Sequence, residues 1–211
     1  MAAKTDSVIS QKLERFFNNY NTLTFNAGET ILRPDEKISR IYFVKSGNIK
    51  QFVNSPDGER LTVQIFKQYS FIPLVLFLSG KNNKYYFQAI NATEVRSAPV
   101  EDVIAFIKEN PDVLFDLTTR LSQAVAGLLQ KIELNTFDNS YSRVLSMLIH
   151  LGVKYGEKRG EEYKISLLLS HSDIASMLGL RRETVSRKLA LLRKNGIIRY
   201  DKENIVIIKL T

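Results

Sequence analysis

Arg182, Glu183, Ser186 and Arg187 fall within six consecutive positions of a 211-residue chain. Their side chains share one chemistry, that of charged or hydroxyl groups able to pair with the edges of nucleobases. An arginine fork can donate to guanine O6 and N7 together, and a carboxylate can accept from cytosine N4. A carboxylate facing a polyanion costs energy unless a base donor meets it, so Glu183 is the most telling of the four. Its other reading is an ion pair with Arg187 four residues on, worth about 0.3–0.5 kcal/mol, which would only orient the arginine. The two roles can coexist. Ser170, His171, Arg181, Thr184 and Lys188 flank these residues and suit phosphate oxygens, contacts that position a protein without reading sequence. His171 also reads as an ordinary exposed residue at a helix start.

Such groups need a rigid presenting surface, and the surrounding sequence supplies one. Ser170 followed by Asp173 forms a capping-box start to a first short helix, with Ile174, Ala175 and Leu178 facing inward. Gly179 permits a sharp turn into a second helix. At about 100° per residue, Arg182, Ser186, Glu183 and Arg187 share one arc of about 140°, with Val185, Leu189 and Leu192 on the other side. Ala190 is too small to obstruct a groove. Asn195-Gly196 closes the helix, since glycine tolerates the left-handed C-terminal position. Ile197–Tyr200, a polar turn at 201–204, and Ile205–Ile208 read as a hairpin. The expectation is a winged helix-turn-helix that reads double-stranded DNA. Ahead of it, Ser142–Tyr155 reads as a helix with Val144, Leu145, Leu148, Ile149 and Leu151 inward, followed by a loop at 156–160.

The first half of the chain has a different texture. Between Leu23 and Ala98, runs such as 22–25, 38–44, 49–53, 61–66 and 85–90 are rich in β-branched and aromatic residues. Turn residues at Asn26-Ala27-Gly28, Ser46-Gly47-Asn48, Pro56-Asp57-Gly58 and 79–83 separate them, which suggests a sandwich or jelly-roll barrel. Met1–Tyr20 reads as a helical lead-in, and Glu101–Ile107 as a short helix ending before Asn110-Pro111. From Pro111 to Leu134, Leu114, Leu117, Leu121, Ala124, Leu128 and Ile132 recur at spacings of three and four, with Val125 and Leu129 beside them. This is a heptad-like seam. It could pack on its own domain, or pair two copies of the chain about a two-fold axis, as a dimeric reader requires. Phe137-Asp138-Asn139-Ser140 breaks the helix. The expected fold class is α+β: a sensor-like barrel domain over 1–108, a dimerisation helix over 109–137 and a winged helix-turn-helix domain over 138–211.

Composition agrees. The net charge is +8, and from Ser140 onward the chain has 14 Lys/Arg against 7 Asp/Glu, while residues 1–139 nearly balance at 16 and 15. A basic excess confined to one domain attracts polyanions. The absence of cysteine excludes disulfides, thiolate metal sites and cysteine-held iron–sulfur clusters. No apolar run approaches the roughly 20 residues of a bilayer span, and the N-terminus lacks a signal-peptide core, so a cytoplasmic protein without a membrane partner is expected. The only two histidines, His150 and His171, lie in the last third, so the barrel has no histidine cluster for a metal. No catalytic residue set, phosphate-cradling loop or cofactor motif is present; no enzyme activity, cofactor or metal is expected.

Taken together, Arg182-Glu183-Thr184-Val185-Ser186-Arg187, Leu189, Leu192 and Gly196-Ile197-Ile198 resemble the reader of the CRP/FNR family of bacterial transcriptional regulators. Ala27-Gly28-Glu29 and Tyr42–Gly47 resemble the family's cyclic-nucleotide-binding-like barrel, and Asn110-Pro111 the start of its dimer helix. The resemblance spans nearly the whole chain. It implies a homodimer on palindromic DNA, effector binding in the barrel, and RNA polymerase and a small-molecule effector as further partners. It also implies that Arg182, Glu183 and Arg187 match the subgroup reading a GTGA-like half-site. The barrel departs from the cyclic-nucleotide pattern. Where a Gly-Glu pair and an Arg-Ser or Arg-Thr pair are expected, the chain has Phe71-Ile72-Pro73-Leu74 and Asn83-Lys84. Leu128-Leu129 replaces the adenine-contacting residues. A lysine cannot reproduce the arginine fork, so cyclic AMP or GMP is not expected as effector. Phe71, Leu74, Lys84, Tyr85 and Tyr86 form a candidate pocket for an apolar or aromatic effector, or simply core. The competing readings are a ligand-independent regulator of the same fold, a small-molecule-binding β-barrel protein or enzyme with an incidental basic domain, and a dimeric scaffold.

Overall fold

The computed structural model describes residues 2–137 and 139–208; Asp138, one of the residues of the expected break, lies outside them. The described chain forms two compact units, one of residues up to 53 and 64–128, the other of 54–63 and 129 onward.

Helix α1 (Ala2–Phe17) precedes two four-stranded sheets, which lie in the first unit except for residues 54 and 60–63. One runs β1 (Asn21–Phe25), β8 (Thr93–Pro99), β3 (Arg40–Ser46), β6 (Phe71–Ile72). The other runs β2 (Thr30–Leu32), β7 (Tyr86–Ala89), β4 (Ile49–Asn54), β5 (Arg60–Phe66). Strands distant in sequence sit side by side and pair antiparallel, for instance Ile41 with Ala98 and Leu23 with Val95, which is jelly-roll topology. Strands β2, β6 and β8 had no separate expectation: two of them are only two or three residues long and show no readable alternation.

Two apolar clusters hold this unit. Ile31, Leu32, Val44, Ile49, Ile72, Phe87 and Val95 form one, with Phe25, Tyr42, Phe66, Leu76 and Tyr85 packed against it. In the other, Phe17 stacks on Phe43 at 4.6 Å and meets Phe71 at 5.6 Å, with Val103 of α3 (Val100–Glu109) and Val113 of α4 (Pro111–Phe137) also buried. Gly47, between β3 and β4, has φ +84°, and a Cβ there would collide with Thr93 Oγ1. Residues 71–78 form two elements. Strand β6 gives way at Pro73 to a short helix, α2 (Leu74–Leu78).

Helix α4 (Pro111–Phe137) is 27 residues long, about 40 Å at 1.5 Å per residue. Its seam is divided. Leu117 packs against the first unit's core, whereas Leu114, Leu121, Val125, Leu128 and Leu129 are each about half exposed and Ala124 is exposed. No described helix is long and apolar enough to cross a membrane.

In the second unit, α5 (Ser140–Tyr155) starts at Asn139, whose side-chain oxygen accepts from the backbone N–H of Tyr141 and Ser142. Val144, Leu148 and Leu151 are buried; Leu145 and Ile149 are half-buried. The segment 156–160, expected as a loop, is instead strand β9 (Gly156–Arg159) entering a turn at Gly160 and pairing with β10 (Glu162–Ile165). Strand β10 in turn pairs with β12 (Asn204–Ile207), which pairs with β11 (Ile198–Asp201). The wing is therefore part of a four-stranded sheet, and the inner edge of its hairpin is covered. A two-stranded ribbon alone is marginal in water. The charged sequence Gly156-Glu157-Lys158-Arg159 masks the strand because its side chains are exposed.

Candidate nucleic-acid interface

The two reader helices are α6 (His171–Leu178) and α7 (Arg182–Lys194). Ser170 caps α6 reciprocally: its hydroxyl accepts from the Asp173 N–H at 3.1 Å, and the Asp173 carboxylate accepts from the Ser170 N–H at 3.0 Å. At the other end Gly179 takes the left-handed conformation, φ +60° and ψ +39°, which a residue with a Cβ adopts only at a cost. The Leu180 N–H then bonds the Ala175 carbonyl at 3.1 Å. Arg143 of α5 reaches across and donates to the Leu178 carbonyl, satisfying one of the acceptors that a helix C-terminus leaves open.

Helix α7 is fixed by its inner face, where Val185, Leu189 and Leu192 are at most 1 % exposed. The outer face carries Arg182, Glu183, Arg187 and Ala190, all exposed. Among the described residues the Glu183 carboxylate has no ion-pair partner within 4 Å; Arg187 instead donates its Nε–H to the Glu183 backbone carbonyl at 3.4 Å. The base-type groups are therefore presented outward rather than neutralised on the protein. Ser186, expected on the same arc, is half-buried and turned to the edge of the face, where its hydroxyl lies 2.8 Å from His171 Nδ1. Of the expected phosphate contacts, Ser170 and Arg181 are exposed, His171, Thr184 and Lys188 half-buried, and the Ser170 hydroxyl is already engaged in its cap.

Three residues that the sequence did not single out join this surface. Tyr200 of β11 brings its phenol oxygen 3.4 Å from His171 Nε2, and the Arg193 guanidinium lies 5.9 Å from the Tyr200 ring centre. Arg193 and Lys194, in the last turn of α7, line an open cleft of about 570 Å³ with His171, Ser186 and Tyr200. A tyrosine at a strand's edge and basic residues at a helix end are common enough alone to pass unnoticed. The wing is fastened by two ion pairs at 2.7 Å, Lys164 with Asp201 and Arg199 with Glu162. Lys164 holds the Asp201 carboxyl below its ordinary value.

The candidate effector residues pack on different neighbours. Phe71 and Leu74 belong to the cluster with Phe17 and Phe43, Tyr85 packs on the barrel cluster, and Tyr86 stacks on Phe52 at 5.1 Å. The Lys84 ammonium stands 5.5 Å from the Tyr85 ring centre. Among the described residues no group of three or more His, Asp or Glu side chains could hold a metal ion.

Comparison with known proteins places this geometry. Residues 142–211 match the Crp-like helix-turn-helix domain, and residues 22–110 the cyclic nucleotide-binding domain. The global nitrogen regulator of Nostoc sp. strain PCC 7120 is 31% identical over 188 residues, 88% of this chain and 84% of that protein. The global nitrogen regulator of Synechocystis sp. strain PCC 6803 is 30% identical over 186 residues, 87% and 83% of the two chains. Among solved structures, a CRP/FNR-family transcriptional regulator from Thermus thermophilus superposes with a TM-score of 0.71 at 25% identity, covering 90% of this chain and 94% of that one. A helix-turn-helix that follows a jelly-roll domain in the chain is thus shared architecture, and this chain belongs to the CRP/FNR family as a DNA-binding transcriptional regulator.

Proposed function

We propose that the protein acts as a homodimer on a palindrome with GTGA-like half-sites, Arg182 and Arg187 bonding guanines and Glu183 accepting from the cytosine opposite. The carrying observation is the outer face of α7, where three charged side chains of base-reading type stand exposed while the inner face is fully packed. The exposed apolar seam of α4 supports two-fold pairing, which would present two such helices to successive major-groove faces about one helical turn, roughly 34 Å, apart. Thr184, Lys188, Arg181 and the start of α6 would hold phosphates on either side.

Selection of bound duplexes from random DNA tests the reading. The recovered sites should contain two inverted GTGA-like half-sites. Arg182→Ala should weaken binding to the selected site by about 1–3 kcal/mol and flatten preference at one base position, whereas Lys188→Ala should weaken all duplexes alike and lower the salt slope. An unchanged preference in Arg182→Ala would overturn the direct-readout assignment.

The barrel favours a regulator whose response does not depend on a cyclic nucleotide. Its interior is filled by Ile49, Ile72, Phe87 and their neighbours, Lys84 lies against Tyr85, and α4 carries Leu128 and Leu129. Cyclic AMP or GMP at 100 times a binding constant would add about 2.7 kcal/mol of stability. No rise in Tm and no change in DNA affinity is expected with either; a rise would restore the nucleotide pocket.

A further inference from the structure

Helix α6, helix α7 and the wing strand β11 meet at one imidazole. His171 Nδ1 lies 2.8 Å from the Ser186 hydroxyl and Nε2 lies 3.4 Å from the Tyr200 hydroxyl, so the ring links the recognition helix through one nitrogen and the wing through the other. The cleft in front of this row is lined by Arg193 and Lys194 and by no carboxylate. Of the other charged groups on these elements, Asp173 of α6 closes the Ser170 cap, and Arg199 and Asp201 of β11 bind Glu162 and Lys164, while α7 also carries the exposed carboxylate of Glu183, three residues before Ser186, and the cations Arg187 and Lys188. Arg182 of α7, one turn before Ser186, adds further positive charge.

The proton count of the row depends on the ring. Neutral imidazole has one N–H and one lone pair. One of the two flanking hydroxyls must therefore direct its proton into the ring. Imidazolium has two N–H groups and accepts nothing, so both hydroxyls become acceptors toward the ring and both of their protons turn outward. Burial raises the Tyr200 phenol above its ordinary value of 10, with Arg193 opposing, so the phenol keeps its proton as a donor near neutral pH. Protonation thus adds one hydroxyl donor and one positive charge to a cleft that already holds two cations. The anion that matches is a phosphodiester of the DNA backbone, beside the groove that α7 would enter.

We propose that His171, Tyr200, Ser186, Arg193 and Lys194 form a proton-responsive phosphodiester site at the junction of recognition helix and wing, with His171 as the positioning residue. The proposal rests on the DNA-binding reading but not on any half-site sequence. Binding a phosphate favours the charged ring, so by linkage affinity is greater at low pH than at high pH. Because phosphates carry no sequence information, the effect should be the same on a selected site and on a scrambled duplex.

The test is the dissociation constant for both duplexes, measured at fixed ionic strength at pH 6 and pH 8. The native protein should bind both about three- to tenfold more tightly at pH 6, the range spanned by one net hydrogen bond. His171→Gln, which keeps hydrogen-bonding capacity without titrating, should bind equally at the two pH values. Tyr200→Phe, checked for folding by its thermal unfolding, should lose most of the difference in affinity between pH 6 and pH 8. His150→Gln, altering the only other histidine, should leave the pH dependence intact. No pH dependence in the native protein, or one that survives His171→Gln, would overturn the proposal. Loss of preference between the two duplexes, with the pH term retained on both, would instead overturn the half-site reading and leave this one standing.

Discussion

Replacing Leu121 by alanine and by lysine tests the pairing of two α4 helices, on which palindrome recognition depends. Leu121 is 49% exposed, Val125 49%, Leu128 52% and Leu129 57%. Burying a whole leucine side chain contributes about 1.5–3 kcal/mol, so covering the exposed half of Leu121 contributes about 1 kcal/mol per copy and about 2 kcal/mol per dimer. Leu121→Ala should therefore raise the dimer dissociation constant about 30-fold. Leu121→Lys should do far more, because each copy would place an ammonium in an apolar seam without a partner. Sedimentation velocity over a wide concentration range reads both. Monomers of Leu121→Lys should also lose palindrome binding while keeping weak, salt-sensitive attachment to DNA. If the alanine and lysine variants show the native mass at every concentration, the exposed seam is not the dimer contact, and the two-fold argument for the operator goes with it.

Gly127 lies in the same helix but about 120° from Leu121 around its axis, and a Cβ there meets nothing within 4 Å. Gly127→Ala should stabilise the chain by about 0.5–1 kcal/mol in thermal unfolding without changing the dimer constant; a weakened dimer would place Gly127 inside the interface. Gly47→Ala should destabilise the barrel by about 2 kcal/mol or more, since both its positive φ and the approach of Thr93 exclude a side chain, and denaturant unfolding would show it. The Asp201 carboxyl is held below its ordinary 3.8, so the wing's ion pair with Lys164 contributes above that value and is lost as pH falls below about 4. Lys164→Met should reduce this acid-side loss of Tm; an identical acid profile would remove the pair from the account.

The reader was legible in the sequence because its requirements are local. A capping pair at Ser170 and Asp173, a glycine at 179 and a three-and-four spacing of Val185, Leu189 and Leu192 specify two short helices and the faces they bury. Charge type did the rest, marking Arg182, Glu183 and Arg187 as groups with no use in a core. The long seam of α4 was equally visible, because one amphipathic helix repeats a single pattern. Tertiary structure decided what depends on partners distant in the chain. It separated Leu117, covered by the barrel, from Leu121 and Leu128, left exposed, although all three occupy equivalent seam positions. It dispersed Phe71, Tyr85 and Tyr86 among different packing neighbours and turned the charged stretch 156–159 into a strand. It also brought Tyr200 from the wing to His171, 29 residues away. Periodicity reports which face of an element is apolar; only the packed chain determines which other face covers it, and which polar groups then meet.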